Sequence, residues 1–193
     1  MNIEELENML SPFSRIRMRN AHPQKLDRLI RHLNSGKAEI GHNIHGHPIC
    51  LVQFAAVNVL YRASDSLTLH LRLVADHSEA SRLGEFLCDR PDIGVNVKMH
   101  TQETPRHAAH RALKEKIGIS KVSELVPMGP LNDVVTNSTG IPGLITKRVI
   151  HLFLYYMPAD QYNVHGYVFQ KEKDKGPGGK KTIFQWNPSV KTR

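Results

Sequence analysis

The chain has 193 residues, a formal net charge of +8 and about 40% hydrophobic residues, with an isoelectric point near 9.6. That size suits one well-cored domain with elaborations and excludes two large ones, and no apolar run approaches the roughly 20 residues of a membrane helix. The basic excess favours polyanionic partners, nucleic acid foremost, and carries no information about fold.

The first ten residues, MNIEELENML, are acidic and lack the basic, apolar and small-residue zones of a signal peptide. An intracellular protein, cytoplasmic or organellar and not secreted, is the expectation. Cys50 and Cys88 stand far apart with no partner motif, which predicts reduced, buried thiols. Glu4 to Leu10 forms a short helix that SPFS breaks. Pro23 to Asn34 is amphipathic, with Leu26, Leu29, Ile30 and Leu33 on one side and Gly36 closing it. Ile49 to Tyr61 is long, apolar and β-branched, and suits a central strand. Leu67, Leu69, Leu71 and Leu73 then alternate with Thr68, His70 and Arg72, the pattern of a half-buried strand.

Ser78 to Cys88 predicts a short helix, and Ile93 to Met99 a strand. Thr104 is placed to cap a helix whose first turn holds Pro105 and whose end is marked by Gly118. Ala109, Leu113 and Ile117 recur every four residues as its apolar stripe, flanked by Arg106, His110 and Lys114. Val122 to Met128 and Lys147 to Met157 predict further strands, separated by a long loop over 129–146 rich in Gly, Pro, Asn, Ser and Thr. Tyr162 to Gln170 and Thr182 to Trp186 pair as a hairpin around the tip KEKDKGPGGKK. There is no internal repeat. Strands interrupted by helices predict an α+β sandwich around a mixed sheet. The expected division is an N-terminal helical extension over 1–36 and one domain over 37–193.

Part of the charge is concentrated. Lys171, Lys173, Lys175, Lys180 and Lys181 flank the Gly-Pro-Gly-Gly tip with only Glu172 and Asp174 to offset them. Five ammonium groups on such a loop can follow a phosphate backbone with little sequence preference. Arg15, Arg17 and Arg19 alternate nearer the N-terminus. Both features suit RNA or another polyanion, and a solvated basic surface is the plainer alternative. His42, His45 and His47 in GHNIHGHP have a spacing that could serve a transition metal, but no local Cys or carboxylate completes a set, so a surface turn is expected. Aromatics around Tyr155, Tyr156, Tyr162 and Tyr167 offer stacking surfaces, with a core or strand-face role the expected one for most.

The segment from Val97 to Ile119 resembles a Nudix box, whose pattern is Gly, five residues, Glu, seven residues, then Arg-Glu-apolar-x-Glu-Glu-x-Gly-apolar. Glu103, Arg111, Leu113, Glu115, Gly118 and Ile119 fall on their places, while Val97, Ala112 and Lys116 replace Gly, Glu and Glu. The resemblance implies a Nudix-like α/β/α sandwich, with the box as strand, loop and helix. It also implies a helix face on which carboxylates would hold Mg²⁺ or Mn²⁺ against a pyrophosphate. Positions 112, 115 and 116 share that face. Their charge falls from about −3 in the family pattern to about 0, and an ammonium there repels a divalent cation by several kcal/mol even at an effective dielectric of roughly 20.

The expected function is therefore a non-catalytic Nudix-fold binding or scaffolding protein for RNA, a nucleotide or a protein complex, with no cofactor and no membrane. Arg111, Lys116 and the five tip lysines are its candidate binding residues. Two alternatives remain. A divergent hydrolase of nucleoside diphosphate derivatives would use Mg or Mn on Glu115, with Glu103 and help from Asp133 or Glu124. A structural subunit of a ribonucleoprotein assembly would touch RNA through the basic loop alone.

Overall fold

The computed structural model describes residues 3–10, 15, 23–76, 94–137, 144–170 and 181–188. The helix expected at Ser78–Cys88, the Cys88 thiol, Arg17 and Arg19 lie outside these residues, as do Lys171, Lys173, Lys175 and Lys180 of the tip.

Helix α1 spans Ile3–Met9 and α2 spans Pro23–Asn34, close to the stretches the sequence predicts. The side chain of Arg15 donates to the Leu10 and Asn8 carbonyls at the end of α1, where a cation suits the exposed C=O groups. Strands follow at β1, Glu39–His42; β2, Pro48–Arg62; β3, Thr68–Asp76; and β4, Val95–Lys98. Helix α3 is Pro105–Ile117, and after it come β5, Val126–Asn137, and β6, Ile145–Tyr156. A 3-10 turn at Ala159–Gln161 leads to β7, Tyr167–Gln170, and β8, Lys181–Pro188. The fold is α+β, a mixed sheet with a few helices. Its strands pair in the order β5-β6-β2-β3-β8-β7, with β1 and β4 each also paired to β2. Every pair with a defined register is antiparallel: β1 with β2, β2 with β3, β3 with β8, and β7 with β8.

Two expectations fail between residues 122 and 146. Residues 122–125 are not strand, and β5 starts at Val126 and runs on to Asn137 through the stretch expected to be loop. Gly129 and Pro130 break most strands, yet β5 runs through both. Gly129 adopts φ +91, which few other residues tolerate. β5 stands at one end of the strand order, where a proline without an N–H removes no necessary ladder bond. Strand β1 was not anticipated. It joins β2 through the GHNIHGHP turn, in which Asn43 Oδ1 accepts the N–H groups of His45 and His47, both at 2.9 Å, and Gly46 takes φ +75. His42, His45 and His47 are all exposed there, so this is the surface turn expected of them. The hairpin of β7 and β8 forms, but its first strand begins at Tyr167 rather than Tyr162.

The described residues form two compact units interleaved along the chain. The first takes residues up to Phe54, Lys98–Pro105 and Pro130–Ile150. It buries Leu6, Leu10, Leu26, Leu29, Cys50, Val52, Phe54, Met99 and Ile150. The second takes Ala55–Val97, Arg106–Gly129 and His151–Arg193. It buries Ala55, Val57, Val59, Leu71, Val95, Leu113, Phe153, Tyr155 and Phe184. No helix among the described residues is long and apolar enough to cross a membrane.

Candidate functional site

Helix α3 forms because its alanines and leucine give good helical propensity and one continuous apolar face. That face is wider than the stripe read from the sequence: Ala108 and Ala112 are buried along with Ala109, Leu113 and Ile117. The helix closes at Gly118, which takes φ +76. Gly118 N–H donates to Lys114 O, and Ile119 N–H to Leu113 O, satisfying carbonyls that the helix end would leave open.

The candidate residues along this segment are engaged as follows. Ala112 is 0% exposed. Glu115 is accessible and accepts from Arg111 Nη1 at 3.4 Å, one helical turn away. Lys116 is half-buried, with its ammonium 4.2 Å from the centroid of the Phe169 ring, a cation–π distance. Glu103 turns onto its own loop, its Oε2 accepting the His100 N–H at 3.1 Å. Of the carboxylates offered as outside help, Glu124 is exposed ahead of β5, and the Asp133 side chain lies outside the described residues. Lys181 is exposed at the start of β8, paired in register with Gln170. Among the described residues no group of three or more His, Cys, Asp or Glu is gathered as a metal site would require.

A second set of polar groups, in the first unit, was not anticipated from the sequence. Lys98, the last residue of β4, has its ammonium 3.2 Å from His32 Nδ1 on α2 and 5.9 Å from the Phe54 ring centroid. Burial, followed by the positive charges of Arg28, Arg148 and Lys37, pushes the Lys98 ammonium down to about 8, while the Cys50 thiol acts in the opposite sense. Burial and then Lys98, Arg28, Lys37 and Arg31 lower His32 to about 4. Near neutral pH the His32 ring is therefore neutral, and its Nδ1 accepts from the Lys98 ammonium. Burial raises the Cys50 thiol to about 11, against the opposing pull of Lys98, so it stays protonated and unreactive. Beside this group runs a shallow groove lined by Lys37, Glu39, Gln53, Met99, His100 and Thr101. The sequence offered one signal. Lys98 alternates with the buried Val95, Val97 and Met99, and α2 carries Arg28, Arg31 and His32 within one turn.

The aromatic residues divide. Tyr155 is fully buried, whereas Tyr156 is 58% exposed. Tyr162 stacks on Tyr61 with centroids 3.8 Å apart, and Trp186 lies tilted beside both at 5.2 and 6.1 Å.

No family model and no curated protein matches the sequence. Among solved structures, the T. brucei MERS1 protein in its apo form is similar at 21% identity and TM-score 0.40, over 59% of this chain and 41% of that one. The T. brucei MERS1–GDP complex is similar at 22% identity and TM-score 0.41, over 59% of this chain and 35% of that one. The NUDIX domain of Shewanella oneidensis NrtR complexed with ADP ribose is similar at 13% identity and TM-score 0.36, over 57% and 61% of the two chains. The match thus spans well under two thirds of each MERS1 chain.

Proposed function

We propose that this chain is a Nudix-like α/β/α protein that binds RNA or a nucleotide through phosphate contacts and does not hydrolyse it, serving as a binding or scaffolding module. The observation that carries the reading is the state of the three positions where the family pattern places carboxylates. Ala112 is sealed in the core, Glu115 is paired with Arg111, and Lys116 lies over Phe169. A hard divalent cation needs several oxygen ligands, and this face offers one carboxylate with an ammonium beside it. The net charge of +8 supports a polyanionic partner.

Two measurements test the reading. Incubation with nucleoside diphosphate derivatives and Mg²⁺ or Mn²⁺ is expected to give no turnover. Metal-dependent turnover abolished by Glu115→Gln would establish the hydrolase instead. Titration with RNA at several salt concentrations is expected to show affinity falling steeply with salt, as counterion release requires. Affinity that is absent, or insensitive to salt, would point to a purely protein-directed role.

A further inference from the structure

Within the second unit, the paired strands β3 and β8 carry different chemistry on their two faces. Leu71 pairs with Trp186 and Leu73 with Phe184, and the buried Leu71 and Phe184 mark one face. Phe169 pairs with the buried Thr182 on that same face, and Lys116 of α3 lies over Phe169. Alternate positions point to the other face. There Arg72 pairs with Gln185, and His70 with Asn187, so hydrogen-bonding side chains occupy the corners of a square. Directly opposite neighbours in such a square stand roughly 5 Å apart at Cβ, and diagonal ones roughly 7 to 8 Å. The buried Leu60 of β2 flanks His70 as an apolar wall.

Arg72 is the anomaly in this square. It is half-buried, and its Nε is a buried donor without an acceptor. No hydrogen bond or ion pair joins its guanidinium to a described residue. The Gln185 and Asn187 amides also hydrogen-bond to no described residue, and Gln185 is exposed. No carboxylate belongs to the square, so the guanidinium charge is not offset within it. A charged donor left unmet in a desolvated place is costly. A water meets the donor but not the charge, whereas an oxyanion meets both.

We propose that the Arg72 guanidinium, with the Gln185 and Asn187 amides beside it, binds a phosphate group of RNA or of a nucleotide on the sheet face opposite Leu71 and Phe184. The site rests on the binding function proposed above and names where the phosphate is held. It lies across the sheet from Lys116 and α3, so it owes nothing to the helix face on which carboxylates were expected. The planar guanidinium fork takes two phosphate oxygens together, and the amides bring N–H donors for a third. Two paired strands hold these groups in register, which limits the ordering that binding requires.

The test couples affinity to stability in the full chain. Fluorescence anisotropy follows a labelled single-stranded oligouridine at several salt concentrations, with uridine monophosphate and unlabelled RNA as competitors. Arg72→Met keeps the apolar stem and removes the charge. It should weaken binding at least fivefold and reduce the salt slope by about one. Its urea midpoint should stay at or above that of the wild type, because an unmet charged donor has gone. Gln185→Ala should weaken binding at least twofold. Wild-type affinity in either variant would overturn the site. A lowered urea midpoint in Arg72→Met would also overturn it, by marking the guanidinium as a structural group. Displacement by uridine monophosphate identifies a free nucleotide as a sufficient ligand, and displacement by RNA alone identifies the polymer. The two levels separate cleanly. RNA bound equally by the wild type and Arg72→Met defeats the site and leaves the wider function standing. Nucleotide turnover by the wild type, with affinity still lost in Arg72→Met, defeats the non-catalytic reading and leaves the site. Absent affinity for RNA and nucleotide alike defeats both.

Discussion

The ammonium of Lys116 stands 4.2 Å from the centroid of the Phe169 ring. The contact ties the second half of α3 to β7 within one compact unit. It also places a cation one residue from the Glu115 carboxylate. Lys116→Glu would put a negative charge against the negative face of the ring. A loss of about 1 kcal/mol is expected, the attraction being worth roughly 0.5 to 2 kcal/mol depending on desolvation. Urea denaturation of Lys116→Glu and Lys116→Met would check it. Equal stability of the two variants would mean that the charge contributes nothing and only the stem packs.

Ala112 has no accessible surface. A carboxylate introduced there, as Ala112→Glu, buries a charge and overpacks the helix face, with a cost of roughly 3 kcal/mol or more. Chemical denaturation should register it, and the double variant Ala112→Glu, Lys116→Glu should be no better folded with Mg²⁺ than without. Metal-dependent recovery of stability would show that carboxylates at these two positions suffice to hold a cation.

The low proton affinity of His32 sets a pH dependence of definite sign. The ring titrates near 4 in the folded chain, because of burial and then the charge of Lys98, Arg28, Lys37 and Arg31, and near 6.5 when unfolded. Between those values the unfolded chain binds more protons, so stability rises with pH across the window and is lost as pH falls through it. Urea midpoints of the wild type and His32→Gln, compared from pH 4 to 6.5, should show the wild type losing ground as the pH drops. A difference independent of pH would refute the account. Lys98 acts in the same direction at higher pH, between about 8 and 10.5.

Gln161 bridges two parts of the second unit. Its Oε1 accepts from the Tyr155 hydroxyl at 2.7 Å, and its Nε2 donates to the Lys121 carbonyl at 2.7 Å. Tyr155 is fully buried, so Gln161→Ala leaves a hydroxyl without its acceptor at a cost of about 1 to 3 kcal/mol. Tyr155→Phe combined with Gln161→Ala should recover part of that loss. A double variant as unstable as the sum of the two single ones would show that the pair is not coupled.

Local pattern carried much of this fold. The apolar face of α2, the alternation in β3 and the end of α3 at Gly118 are each written within a few residues, and each is found where the pattern puts it. Strand β5 was hidden because Gly129 and Pro130 break most strands, and position in the sheet decides whether they do. The pairing of Lys98 with His32 joins residues 66 apart in the chain. Nothing local announces such a contact; it exists only once α2 and β4 are packed together. The burial of Ala112 could have been read from its place three and four residues from Ala109 and Ala108.

The Gly36 carbonyl receives two donors from Thr101, its N–H at 2.7 Å and its hydroxyl at 2.9 Å. His100 adds a third tie to the same turn through the Ser35 carbonyl, at 3.3 Å. The turn that ends α2 and the loop that opens toward α3 are thus fastened at one point, although 65 residues separate them. Segments joined this way open and close together. In hydrogen exchange the amides of Gly36 and Thr101 should share one opening free energy, and a change in the last turn of α2 should be felt at the loop carrying Glu103.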